Sequence, residues 1–324
     1  MLRRRLLLRG AGALLACGVL LSAGSPASAA LIGWWGFEQN TNDSSDGFPV
    51  GTKHNGVLSS GTTYALVTDN PKLTGYALDL STNTSSSSPT SNPPARFMQL
   101  DGGTGGGVPG TPYPANALAT GTDSFSLSAW IKPTGAGKGV TTGSGGHASG
   151  FYPVVAKGCA QAEGGTVDAN YMMGVVRSGS TNYLAADFEA YTNGQNYPVT
   201  GTVGFADNVW THIVATYDGR YWRLYVNGQL DKVQDTGAQR APRYDSTQYA
   251  AIGTTLQTTG WNGTYSGLFK GYIDEVRIYN HALDAETISN LYNYNSEVYV
   301  IPEPAAALML VAGLTGLGLR RRRH

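Results

Sequence analysis

The chain has 324 residues, of which 14% are charged and 41% hydrophobic, and its formal net charge is zero. That zero hides an asymmetry. Eight of the 22 basic residues are arginines at the two ends, and one of the 22 acids is Glu303, so residues 31–300 keep 14 basic against 21 acidic groups, a net −7. Such a charge excludes a nucleic-acid-binding domain and suits solubility and divalent cations. With only Cys17 and Cys159 present, a disulfide-stapled scaffold is also excluded.

Taken in chain order, Arg3, Arg4, Arg5 and Arg9 precede an apolar run, Ala11 to Leu21, and a small-residue stretch ends at Ala29-Ala30. This is the pattern of a secretory signal peptide over residues 1–30, cleaved after Ala29 or Ala30. A lipoprotein site at Cys17 is the minor alternative, because apolar residues continue past it. Residues 31–300 then read as one domain. Strand-like runs predict β structure at Leu31–Phe37, Tyr76–Leu80, Phe97–Leu100, Ser124–Lys132, Pro153–Ala156, Tyr171–Val176 and Tyr183–Glu189. Further runs lie at His212–Tyr217, Tyr221–Val226, Ala250–Ile252 and Gly271–Tyr279. Gly, Asn, Ser and Pro clusters separate them, the mark of an all-β antiparallel sandwich or barrel. Asn227-Gly228 predicts a tight hairpin, because a type I′ turn needs positive φ twice. Ser81–Ala95, Gly102–Pro114 and Gly135–Gly150 lack apolar residues and are expected to be surface insertions. One short helix is expected over Leu283–Tyr292, with Asp284 as N-cap and Leu283 and Ile288 as a hydrophobic staple.

The chain ends in Pro302-Glu303-Pro304, an uncharged run from Ala305 to Leu319, and Arg320–Arg323. Fifteen helical residues span about 22 Å, short for a bilayer core, yet flanking arginines can snorkel and the bilayer can thin. A buried or amphipathic helix is the competing reading, disfavoured because the run has no polar face. Arginines at both ends favour the cytoplasmic side, which leaves residues 31–300 outside the inner membrane.

Motif, apolar segment and basic end resemble the PEP-CTERM sorting tail of Gram-negative bacteria. The resemblance implies export, a transient stay of residues 301–324 in the inner membrane, processing by an exosortase, and release to the cell surface or exopolysaccharide matrix. A second resemblance covers the domain itself. Trp34–Glu38 (WWGFE), Ala77–Leu80 (ALDL), Ser124–Pro133 (SFSLSAWIKP), Val209–Leu230 (VWTHIVATYDGRYWRLYVNGQL) and Phe269–Tyr292 recur in order, as in laminin-G-like domains. These imply a concanavalin A-like lectin/glucanase jelly roll, a fold that hosts binders and hydrolases alike.

Strict alternation along the last strand sets Tyr272, Asp274, Val276 and Ile278 on one expected core-facing row, with Ile273, Glu275, Arg277 and Tyr279 opposite. A core-facing Asp274 needs compensation by N–H groups, a basic side chain or Ca²⁺. The glucanases of this fold imply one structural Ca²⁺ between first and last strands, with Glu38 and Asp274 at the matching positions; a hydrogen-bonded Asp is the alternative. Their Glu-x-Asp-x-x-Glu catalytic string is missing. Asp187-Phe188-Glu189 is the nearest acid pair, and a solvated strand face is its simpler reading, so catalysis is in doubt. Cys159 reads as a chance thiol without partner, and His212 as a packed strand residue.

Sugar binding needs aromatic faces beside polar side chains. Trp261, Asn262 and Tyr265, and Tyr191 and Asn193 with Gln195, Asn196 and Tyr197, are the loop candidates, whereas Trp34, Trp35, Trp130, Trp210 and Trp222 are assigned to the core. The expected function is a displayed glycan-binding module. The alternatives are a structural or adhesive matrix protein and a glycan hydrolase or lyase.

Overall fold

The computed structural model describes residues 31–294 apart from 46–52, 71, 89–90, 93, 101–102, 105–107, 110–117, 121–122, 161–164 and 258–264. The signal segment, the sorting tail, Trp261 and Asn262 lie outside the described residues.

In chain order the first strands are β1 (Leu31–Trp35), β2 (Val57–Leu58), β3 (Thr63–Leu66), β4 (Tyr76–Asp79), β5 (Met98–Gln99), β6 (Gly103–Thr104) and β7 (Val108–Pro109). They are followed by β8 (Phe125–Pro133), β9 (Phe151–Lys157), β10 (Tyr171–Ser178), β11 (Thr181–Asp187), β12 (Val199–Ala206) and β13 (Thr211–Tyr217). The last are β14 (Tyr221–Val226), β15 (Gln229–Asp235), β16 (Ala250–Ile252), β17 (Thr254–Leu256), β18 (Tyr265–Leu268), β19 (Gly271–Tyr279) and helix α1 (Ala285–Tyr294). Every predicted run holds a strand. The short strands β2, β3, β17 and β18 and the polar β12 carry too little apolar alternation to be read in advance.

Two antiparallel sheets face each other. The first runs β15-β14-β13-β8-β19-β4-β3, with β1 also on β19; the second runs β12-β11-β10-β9-β16-β5-β2. Between them lies one core that includes Trp35, Phe125, Phe188, Tyr217 and Trp222. Phe125 meets Trp222 edge-on at 5.4 Å, and Phe188 lies 4.6 Å from Tyr217. The polar atoms of these rings find carbonyls: Trp35 Nε1 donates to His54 O and Trp222 Nε1 to Tyr197 O. Burial therefore carries no orphan donor at either indole.

Alternation fails on β19, and the reason is a bulge. Asp274 pairs with Trp130, but Arg277 pairs with Ser128, so β19 holds one extra residue there. Glu275 takes up the irregularity at φ +52°. At the same place β19 changes neighbour, from β4 at Tyr272–Ile273 to β1 at Val276–Tyr279. The core row is consequently Ile273, Val276 and Ile278. Asp274 shares the outer row with Trp130, not the core row expected from strict alternation.

Each sheet is also covered on its outer face. Over the first lies α1, whose Ile288 packs with Val214, Tyr225, Tyr279 and Leu283. The Asp284 carboxylate accepts from Thr287 N at 2.7 Å, as an N-cap should. Over the second lies the segment 138–147, which the sequence marks as a surface insertion. Lys138 bridges to Leu268 and Val140 to Phe151, and Thr142 is fully buried. This strap is held by polar contacts rather than apolar ones, so composition alone conceals it.

Candidate functional site

A cleft of about 370 Å³ opens on the outer side of the first sheet, beside the C-terminal end of α1. Trp130, Trp210 and Tyr292 line it together with Asp69, Asn70, Lys72, Asn208, Val209 and Asn227. Its floor is built by strand alternation. Ser128 and Trp130 of β8 stand opposite Val214 and His212 of β13, and His212 Nε2 lies 3.0 Å from Ser128 Oγ. Trp130 stacks on Tyr292 at 5.6 Å, and His212 packs against both rings. Burial pushes His212 down to about 3, aided by the nearby positive charges of Arg277 and Lys72, so the ring is neutral.

Turns set the rim. Asn227 has φ +51° and Gly228 +75°, the pair of left-handed residues that the Asn-Gly hairpin requires. Gly228 also makes room for the helix, since a methyl group there would sit 3.0 Å from Tyr292 Cβ. Asn208 is likewise left-handed at +63°. Trp210 is half-buried, and its Nε1 donates to Asp69, which also pairs with Lys132. Those partners hold Asp69 below the ordinary carboxylate range. Lys72 Nζ lies 3.3 Å from the centre of the Tyr292 ring and donates to Tyr292 O at the helix end. Two donors of lining residues, Trp130 Nε1 and Asn70 Nδ2, are buried without a hydrogen-bond partner. Flat aromatic faces beside amides and unspent N–H groups are what a hydroxyl-rich ligand engages.

None of these lining residues was singled out as a sugar candidate in the sequence. They come from six separate segments, and Trp130 and Trp210 were assigned to the core. Trp130 is indeed 2% exposed, whereas Trp210 departs from that assignment. Of the sequence candidates, Tyr265 lies in β18 rather than an exposed loop, buried with its ring 5.2 Å from Phe97. Tyr191 is exposed, stacked on Tyr244 at 4.7 Å with the Arg243 guanidinium over its ring. Asn193 is exposed and accepts from Gln195 N in its own turn. Tyr191 and Tyr265 share no contact partner in these interactions.

The acid pair Asp187 and Glu189 lies on the outer side of the second sheet, beneath the strap, fully or almost fully buried. Asp187 accepts from Thr142 Oγ1, Phe188 N, Asn196 Nδ2 and Tyr197 N. Burial nevertheless pushes it up to about 7. Glu189 accepts from Ala169 N. The simple reading of a solvated strand face fails, because the strap covers it. An acid pair enclosed in this way presents no open face to a polysaccharide.

Glu38 is exposed just after β1, and Asp274 is 1% exposed at the bulge. Asp274 stands well above the usual carboxylate range, first through burial and then through the charges of Glu275 and Glu38. Glu38 is raised too, by partial burial and by Glu275. The two acids therefore face a common field, with Glu275 bonded to Arg277 and Trp34 Nε1. Among the described residues no group of three or more His, Cys, Asp or Glu is arranged to hold a metal ion. Cys159 is buried, and burial pushes its thiol up to about 12, which leaves it unreactive at neutral pH.

A family model described as the concanavalin A-like lectin/glucanases superfamily (Laminin_G_3) matches residues 103–289. That is more than half of the chain, which belongs to this superfamily. No curated protein matches the sequence. Among solved structures the chain is similar to the binding domain of Paraclostridial Mosquitocidal Protein 1, with TM-score 0.50 and 15% identity over 82% of this chain and 52% of that one. It is also similar to domain 4 of AbnA, a GH43 extracellular arabinanase from Geobacillus stearothermophilus, solved with arabinotriose. There the TM-score is 0.46 and the identity 16%, over 82% of this chain and 98% of that one. The botulinum neurotoxin serotype D ligand-binding domain, solved with N-acetylneuraminic acid, gives 0.46 and 14% over 81% and 50%. The chain thus spans about half the length of the toxin domains. At these identities the likeness concerns the fold.

Proposed function

We propose that the chain is an exported module that binds glycan without catalysis at the cell surface or in the extracellular matrix of a Gram-negative bacterium. The observation that carries this reading is the cleft lined by Trp130, Trp210 and Tyr292 beside Asn70, Asn208 and Asn227. Support comes from the lectin/glucanase superfamily and from the enclosure of Asp187 and Glu189 under the strap. Sugar-binding partners in the printed descriptions of similar structures agree with it. In this reading Pro302, Glu303 and Pro304 are the sorting motif, the tail stays briefly in the inner membrane, and an exosortase processes it. One structural Ca²⁺ at Glu38 and Asp274 belongs to the same reading: it would relieve the mutual repulsion that raises both acids.

The test is a glycan array with the purified protein, run in Ca²⁺ and in EDTA. Saturable binding that weakens in Trp210→Ala supports the reading. Absence of binding in both buffers overturns it in favour of a structural or adhesive matrix protein. Replacing Pro302, Glu303 and Pro304 by alanine should leave unprocessed precursor in the inner-membrane fraction.

A further inference from the structure

The space beneath the strap has an unusual chemistry. A methyl group placed on Gly143 would sit 2.4 Å from Asn196 Oδ1 and 2.8 Å from Glu189 Oε1. One placed on Gly146 would sit 2.3 Å from Thr142 Oγ1 and 2.7 Å from Asp187 Oδ2. The Asn196 amide carbon is 3.1 Å from both points. Two glycines of one strap thus leave room where oxygens, not carbons, are the nearest atoms.

The orientation of Asn196 is fixed by its amide nitrogen, which donates to Thr142 O at 2.9 Å and to Asp187 Oδ2 at 3.1 Å. Its Oδ1 is buried and has no hydrogen-bond partner, although the residue is only 4% exposed. A buried acceptor left without a donor costs about 1–3 kcal/mol. Asp187, beside it, has four hydrogen bonds, and every donor is neutral. An amide oxygen without a partner and a carboxylate without a positive neighbour, enclosed together, are what a hard cation satisfies and what a further N–H would satisfy only in part.

We infer that Asn196, Glu189 and Asp187 form a buried divalent-cation site, suited to Ca²⁺, that locks the strap 138–147 onto the second sheet. Two carboxylates and an amide supply the protein's share of an oxygen shell of six to eight. Ca²⁺ tolerates such an irregular set, whereas Mg²⁺ demands near-octahedral geometry and gives up its water reluctantly. This site lies on the second sheet and is separate from Glu38 and Asp274 on the first. It does not depend on whether the cleft binds glycan.

The experiment is calorimetric titration of the purified, EDTA-stripped protein with CaCl₂ alone and with MgCl₂ alone, together with melting curves in Ca²⁺ and in EDTA. Saturable Ca²⁺ binding is expected, with a higher Tm that EDTA reverses and a weaker response to Mg²⁺. Asn196→Ala should abolish the Ca²⁺-dependent rise in Tm, and Asp274→Asn should leave it unchanged. Should Asn196→Ala fail to fold, Asn196→Asp decides: it keeps the shape and adds charge, so Ca²⁺ should bind roughly tenfold tighter while the stripped protein melts lower. Identical melting in Ca²⁺ and EDTA overturns the site. So does a calcium response that survives Asn196→Ala or is lost in Asp274→Asn.

Discussion

Single side chains in this protein are read through what surrounds them. His212 is enclosed between Trp130, Tyr292 and Ser128, and its folded-state titration lies near 3 rather than near 6.5. Above pH 6.5 the ring is neutral in folded and unfolded chains alike. Below it the unfolded chain takes up a proton that the folded chain refuses. The stability contributed by a neutral His212 is therefore full above pH 6.5 and declines as the pH falls toward 3. Urea midpoints measured across that window should fall, and the difference between the protein and His212→Gln should shrink with them. A difference constant with pH would remove the titration from the account. At Trp222 the expectation is simpler. The indole is fully buried against Phe125, Phe188 and Tyr217, so Trp222→Ala should cost about 3–5 kcal/mol in denaturant unfolding. Trp210 is half-buried with one edge tied to Asp69. Trp210→Ala should cost little stability and weaken glycan binding by up to about tenfold, the worth of one aromatic face.

Among the elements, α1 and the strap cover opposite faces by different means. The helix is held by apolar packing, with Ile288 fully buried in the cluster with Val214 and Leu283. Ile288→Ala should therefore cost about 2–5 kcal/mol, and Asp284→Ala about 1 kcal/mol through the lost cap. A double variant tests whether the helix docks as a unit, because the two effects should then fail to add. Those residues were legible: Asp284, Leu283 and Ile288 have the spacing of a cap and a staple, which depends only on local helix geometry. The strap was not legible. Its anchors are Thr142, Asp187 and Asn196, three polar residues from three segments, and no local period connects them. The bulge in β19 escaped for a related reason. It exists because the strand changes partner from β4 to β1, and partner exchange leaves no trace in alternation.

The whole molecule rests on one core shared by two sheets, without a disulfide to assist it among the described residues. Reductant should leave the melting temperature unchanged. Cys159 should react with a thiol reagent only at the rate of unfolding, since it is buried and its thiol stays protonated. Fast labelling of the folded protein would show that the β9 end of the second sheet opens locally. The sandwich was readable in the sequence because each inner strand repeats its apolar residues with period two and each hairpin carries its own turn residues, as at Asn227-Gly228. Such signals are local and survive in one dimension. The cleft and the oxygen-lined space under the strap were decided only by tertiary structure. Trp130, Trp210 and Tyr292 in the one, and Gly143, Asp187 and Asn196 in the other, lie far apart along the chain. Only the closing of the two sheets, with their covering helix and strap, brings them together.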